Sequence, residues 1–121
     1  MNDTRAVVER YFHAWSSQRP EDAYAELAPH LHFAGPSASY ASREEFRPGL
    51  FAFAALTHAT RVVELVIEGE RAALLYDCDF VGAGTTRIAS FFRVEGGKIV
   101  WYETFFDATE FRNAMAARKG A

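Results

Sequence analysis

Two aspartates two residues apart, Asp77 and Asp79 in the stretch LLYDCDF (residues 74–80), are the pair best suited to chemistry. The stretch has strand character, and side chains alternate across a strand, so both carboxylates share one face. In an apolar interior the charged form of a carboxyl is disfavoured. Its pKa rises, and it can act as acid or base near neutral pH. Two registers are open for this strand. One turns Leu75, Asp77 and Asp79 inward; the other turns Leu74, Tyr76, Cys78 and Phe80 inward. A slip of one residue exchanges the sets. The second set is the more apolar, while the poor strand propensity of Asp suggests a special reason for the first.

The histidines offer less. His30 and His32 share one face of a short strand, but a metal site needs about three converging ligands. No metal is expected. His32 reads as a wall or rim residue able to orient or tune Asp77, and His30 as exposed. His13 falls off the apolar face of the first helix, and His58 begins a strand. The lone Cys78 excludes an internal disulfide and a Cys-based zinc site, and it fits a reducing cytoplasm.

These residues sit in a chain of 121 residues, sized for a single domain spanning 1–121. Half of it is hydrophobic and 11 residues are Phe, more than a filled core of this size needs, which points to an apolar cavity for a small organic molecule. The net charge is −3 with no basic stripe, so nucleic acid is not an expected partner. No stretch approaches the roughly 20 apolar residues of a membrane span, so no membrane is expected either. The first residues lack a signal-peptide pattern, and the expected location is cytoplasmic.

The positioning elements follow from periodicity. In NDTRAVVERYFHAWSSQ, Val8, Tyr11, Phe12 and Trp15 form one helical face, with Asn2 or Asp3 as cap. RPEDAYAELAPH predicts a second helix with Pro20 at its first position and Tyr24 and Leu27 buried. HLHFAGPSASY predicts a short strand. ASREEFRPGLFAFAALT predicts a third helix, with Ser42 and Glu45 spaced as a capping box and Phe46, Leu50 and Phe53 as its apolar face. From residue 58 the period becomes two, and four strands joined by EGER, GAG and EGGK make an antiparallel meander. ATEFRNAMAARKG predicts a short polar helix. The class is α+β, with helices segregated against one strongly curved antiparallel sheet.

Three segments, VVERYFHAW, FAGPSASYASREEF and SFFRVEGGKIVWYETFFD, resemble in order and spacing the nuclear-transport-factor-2-like superfamily, in its bacterial SnoaL-like branch. The resemblance spans nearly the whole chain and implies a cone-shaped fold with helices on the concave face of the sheet. It implies no single activity, because this fold hosts isomerases, cyclases, hydrolases and binding domains. It also implies strand orientation: Ile88, Ser90 and Phe92 toward the pocket, with Tyr102, Thr104 and Phe106 in the last strand. Trp101, Glu103 and Phe105 take the opposite face, where a homodimer contact is expected. By resemblance to limonene epoxide hydrolases, Asp77 faces inward. By resemblance to ketosteroid isomerases, Tyr11 is a hydrogen-bond donor to a ligand oxygen.

The known constellations are incomplete, however. The isomerase base falls at Gly35 and its second oxyanion donor at Ser90; the hydrolase arginine falls at Leu75 and its second aspartate at Thr104. The expectation is therefore a pocket for a small hydrophobic molecule, walled by Trp15, Phe33, Phe46, Leu50, Phe53, Phe92, Tyr102 and Phe106. Its chemistry would be cofactor-independent isomerisation, cyclisation or hydrolysis of a carbonyl, polyketide-like or terpenoid-like compound. Asp77 would be acid or base, Tyr11 donor, and Asp79 or His32 tuner. The alternative is a non-catalytic ligand-binding or dimerisation domain of the same fold.

Overall fold

The computed structural model describes residues 3–120. Helix α1 (Thr4–Ser16) buries Val7, Val8, Tyr11, Ala14 and Trp15, the face its periodicity marks. Asp3 is its N-cap residue, but the Asp3 side chain makes no capping bond; Asn2, the other expected cap, lies outside the described residues. Helix α2 (Pro20–Tyr24) is only five residues long. The sequence predicts it to run on to His30, but the chain is already extended at Leu27. Strand β1 (Leu27–Ala34) buries Leu27 and Leu31; Leu27 pairs with Ile99 and residues 32–34 with residues 101–103, with a break in register between. A two-residue strand β2 (Ser39–Tyr40) folds back on it.

Helix α3 (Arg43–Leu56) starts at the predicted cap. Ser42 Oγ accepts a hydrogen bond from the Glu45 N–H at 3.1 Å. Glu45 Oε1 in turn accepts from the backbone of Ala41 at 3.1 Å, one residue earlier than the usual box. The chain then runs through β3 (Thr57–Glu68), β4 (Arg71–Phe80), β5 (Thr85–Glu95) and β6 (Lys98–Phe105) as the predicted antiparallel meander. Gly69, Gly82, Gly96 and Gly97 have positive φ in its connections, where a side chain would be strained. Helix α4 (Thr109–Gly120) ends the fold.

The class is α+β, with one curved, unclosed six-stranded sheet in the order β2-β1-β6-β5-β4-β3. One pair departs from the antiparallel expectation. β1 lies parallel to β6, because the chain leaves β1 through α3 and re-enters the sheet at its far edge. Helices α1 and α3 cover one face, where the core gathers. On the other face Phe91, Trp101 and Phe105 stay exposed. The Gln18 amide, at a left-handed φ of 64°, donates to the carbonyls of Ala54 and Thr57 and so ties the end of α1 to the end of α3. No helix among the described residues is long and apolar enough to cross a membrane.

Candidate functional site

Cross-strand pairing builds the inner face in rows. Leu74, Ser90 and Thr104 stand side by side on β4, β5 and β6. Ala72, Phe92, Tyr102, Phe33 and Tyr40 make the next row, across to β2. Between these rows and the helices lies a recess of about 160 Å³. The polar side chains that line it, Tyr11, Ser37, Tyr40, Tyr76, Tyr102 and Thr104, all bear hydroxyls. Its walls are Trp15, Phe33, Phe46, Leu50, Phe53 and Phe106, with Phe111 from α4. Ring contacts lock these walls: Phe33 stacks on Phe46 at 4.2 Å between centroids, and Phe53 stacks on Phe111 at 5.4 Å. Gly35 and Gly49 leave room at the rim. A Cβ at Gly35 would stand 3.0 Å from the Phe33 ring and 3.5 Å from the Thr104 methyl.

Burial is the main cause of the site's electrostatics. It raises the Tyr11 and Tyr76 phenols well above their ordinary value and pushes Tyr102 up to about 12. All three are neutral donors at any physiological pH. Neighbouring hydroxyls act less than burial does: Tyr102 raises Tyr11 further, while Ser90 lowers Tyr76 and Tyr102. Ser90 Oγ and Thr104 Oγ1 are 3.0 Å apart. Ser90 and Phe92 face inward yet do not reach the recess: Ser90 pairs with Thr104, and Phe92 backs Tyr102 in a stack at 4.7 Å.

Asp77 and Asp79 are on the other face, which corrects the inward register. Leu74, Tyr76, Cys78 and Phe80 are buried instead, so the apolar set won. Asp77 has Arg61 opposite it on β3 and Arg87 opposite it on β5. It is bidentate with Arg87, at 2.9 and 3.2 Å, and pairs with Arg61 as well. The Arg87 hydrogen bond, followed by the charges of both arginines, holds its carboxyl below the usual aspartate range. It is a fixed anion, with none of the raised basicity that an interior carboxyl would have. Asp79 accepts a hydrogen bond from the Thr85 hydroxyl on the same outer face. His32 is exposed and stacks on Trp101, 5.8 Å between centroids, again outside. Of the four expected catalytic residues, only Tyr11 is at the recess.

No carboxylate, imidazole, amine, guanidinium or thiol lines the recess. Among the described residues no three His, Cys, Asp or Glu side chains converge as a metal would need. The Cys78 thiol is fully buried beside Thr57, and burial pushes it up to about 11, so it stays protonated. The sequence reading places Tyr76 only in its alternative register, gives Gly35 only as the position of the missing isomerase base, and leaves out Tyr40 and Phe111. Phe111 was legible: with Ala114 and Met115 it makes an apolar i, i+3, i+4 set in the otherwise polar last helix.

A family model described as "SnoaL-like domain" matches residues 8–102. No curated protein matches the chain. Among solved structures, a protein from Kribbella flavida is similar at 22% identity over 96% of each chain, with a TM-score of 0.85. An NTF2-like protein of unknown function from Cytophaga hutchinsonii is 21% identical over 93% of this chain and 96% of its own, with a TM-score of 0.78. A protein with a ketosteroid isomerase-like fold from Catenulispora acidiphila, in complex with trimethylamine, is 15% identical over 86% of this chain and 87% of its own, with a TM-score of 0.70. At these identities the likeness is one of fold.

Proposed function

The chain belongs to the SnoaL-like domain family, and from that premise we propose that it binds a small, uncharged, largely apolar organic molecule in the recess between α1, α3 and the sheet. The observation that carries this reading is the lining: aromatic and aliphatic side chains, polar ones that all bear hydroxyls, and no group that is charged at neutral pH. A charged ligand would lose its hydration there with no countercharge to replace it. Size narrows the class further. A cavity of about 150 Å³ holds benzene, so 160 Å³ suits a single ring with a short substituent.

Chemistry by proton abstraction lacks a base in this lining. A catalytic reading keeps one support, the hydroxyl-bearing residues of the lining, whose O–H groups can polarise a carbonyl oxygen. It requires a reaction in which the substrate or water carries the proton away, and turnover of a cyclic ketone or enone would be its mark.

The test is a titration followed by ligand-observed NMR with benzene, benzoate and benzylammonium. Benzene is expected to bind and the two ions to bind at least about a hundredfold more weakly. Tighter binding of benzoate, or no binding of any neutral ring, would overturn the proposal. Asp77→Asn is expected to leave the affinity for benzene unchanged.

A further inference from the structure

Helix α4 supplies one wall of the recess and is held to the rest of the fold by little. Of its described side chains only Ala114 is buried, with Glu110, Phe111 and Met115 half-buried and the others exposed. Among the described residues one hydrogen bond joins it to chain outside residues 107–120: the Gly84 N–H donates to Glu110 Oε1 at 3.2 Å. A helix of 12 residues is marginal without packing. An element with few buried apolar contacts opens locally more readily than the core strands.

Phe111 is the one aromatic residue of α4. Its ring stacks on Phe53 at 5.4 Å between centroids and meets Phe80 and Phe106 edge-on at 5.8 and 6.3 Å. Phe53 and Phe106 also wall the recess, and Phe111 lines it from the other side. The slot that holds the Phe111 ring therefore adjoins the recess, and that ring is the partition between them. Three aromatic neighbours accept any flat ring of similar size. With α4 released, slot and recess become one space with room for a second ring.

Resting on the binding reading above, we infer that Phe111 fills a second aromatic subsite as an internal stand-in, and that release of α4 opens this subsite to neutral ligands with two linked aromatic rings. One ring takes the recess, and the other takes the place of Phe111 against Phe53, Phe80 and Phe106. A single ring binds with α4 closed. A two-ring ligand binds only when α4 lifts, so its affinity is reduced by the fraction of molecules in which α4 is open.

Benzene and biphenyl test this, with a reversible lock on α4. A Cβ at Gly82 would stand 3.7 Å from the Ala117 Cβ, close to the ~3.8 Å separation across a disulfide. In the double variant Gly82→Cys/Ala117→Cys, oxidation is expected to weaken biphenyl at least about tenfold relative to the reduced form and to leave benzene within about twofold. Both forms share the strain of a side chain at Gly82, whose φ is positive, so the comparison is internal. Phe111→Ala is expected to tighten biphenyl about tenfold while benzene changes by less than about threefold. Without any ligand, the Ala114 and Met115 amides should exchange at least about a hundredfold faster than those of Ser90 and Phe92 in β5. Equal biphenyl affinity in the oxidised and reduced forms, or α4 amides as protected as those of β5, would overturn the inference and leave the binding reading intact. So would benzene binding with biphenyl refused by wild type and Phe111→Ala alike. Failure of both compounds to bind would remove both.

Discussion

Tyr76 and Asp77 are neighbours on β4 and live in opposite surroundings. Tyr76 faces the recess among aromatic rings, its phenol held neutral by burial. Asp77 faces outward between two arginines and is held charged by them. The strand is continuous, so the difference comes wholly from the alternation of side chains and from what each face meets. Inside, Ser90 and Thr104 pair as neutral hydroxyls; outside, Asp77 pairs as an ion with two arginines. A carboxylate placed on the inner face would find no cation, and this separates the domain from a device built on an interior acid.

The harshest way to break that division is Cys78→Asp, which puts a carboxylate on the buried side of β4. With no partner there, it should cost about 3 kcal/mol or more and yield little folded protein, read by denaturant unfolding. A carboxylate accepted with smaller loss would mean that the inner face is wetter than its lining indicates. Leu50→Ala is milder. It should destabilise by about 2–4 kcal/mol and enlarge the recess, so that a bulkier ring such as naphthalene gains affinity relative to benzene.

The buried phenols give a pH test of the same division. Their folded pKa values are raised, so their contribution is complete below the unfolded tyrosine value of 10.0 and is lost as pH rises through the folded values, to about 12 for Tyr102. Alkaline unfolding should therefore release phenolate absorbance from Tyr11, Tyr76 and Tyr102 together, and Tyr76→Phe should reduce that step. Gly49→Ala should act in the opposite sense on stability. Its new methyl group would lie 3.8 Å from the Phe46 ring, an ordinary contact, so the helix should gain about 0.5–1 kcal/mol while binding of a close-fitting ring weakens. Thermal melts and the benzene titration would separate the two effects.

The smallest effect belongs to Asp77→Asn. The depressed pKa of Asp77 means that its stabilisation is present above the ordinary value of 3.8 and fades as pH falls through the lower folded value. Wild type and variant should differ slightly at neutral pH and converge in acid, with ligand affinity alike in both. A large loss of affinity would reconnect the outer carboxylate to the recess and undo the comparison.

Much of the frame was legible in the residues. The face of α1 followed from Val8, Tyr11 and Trp15, the start of α3 from Ser42 and Glu45, and the meander from its glycine connections. β6 alternates as expected, with Tyr102 and Thr104 at the recess and Trp101 and Phe105 exposed. The register of β4 was harder because both of its faces are locally plausible. Its apolar set was the better guide, and the arginines across from Asp77 were the missing argument. Arg61 and Arg87 are far from Asp77 in sequence and become its neighbours only when hairpin registers are fixed.

The sequence by itself determined the α+β class, the strand alternation and an excess of aromatic residues, because these depend on local periodicity and composition. Only the tertiary structure decided which carboxylates meet cations, which hydroxyls meet one another, and how much space the rings leave. Those outcomes depend on contacts between residues ten or more positions apart, where a slip of one residue would have exchanged Tyr76 for Asp77 at the recess.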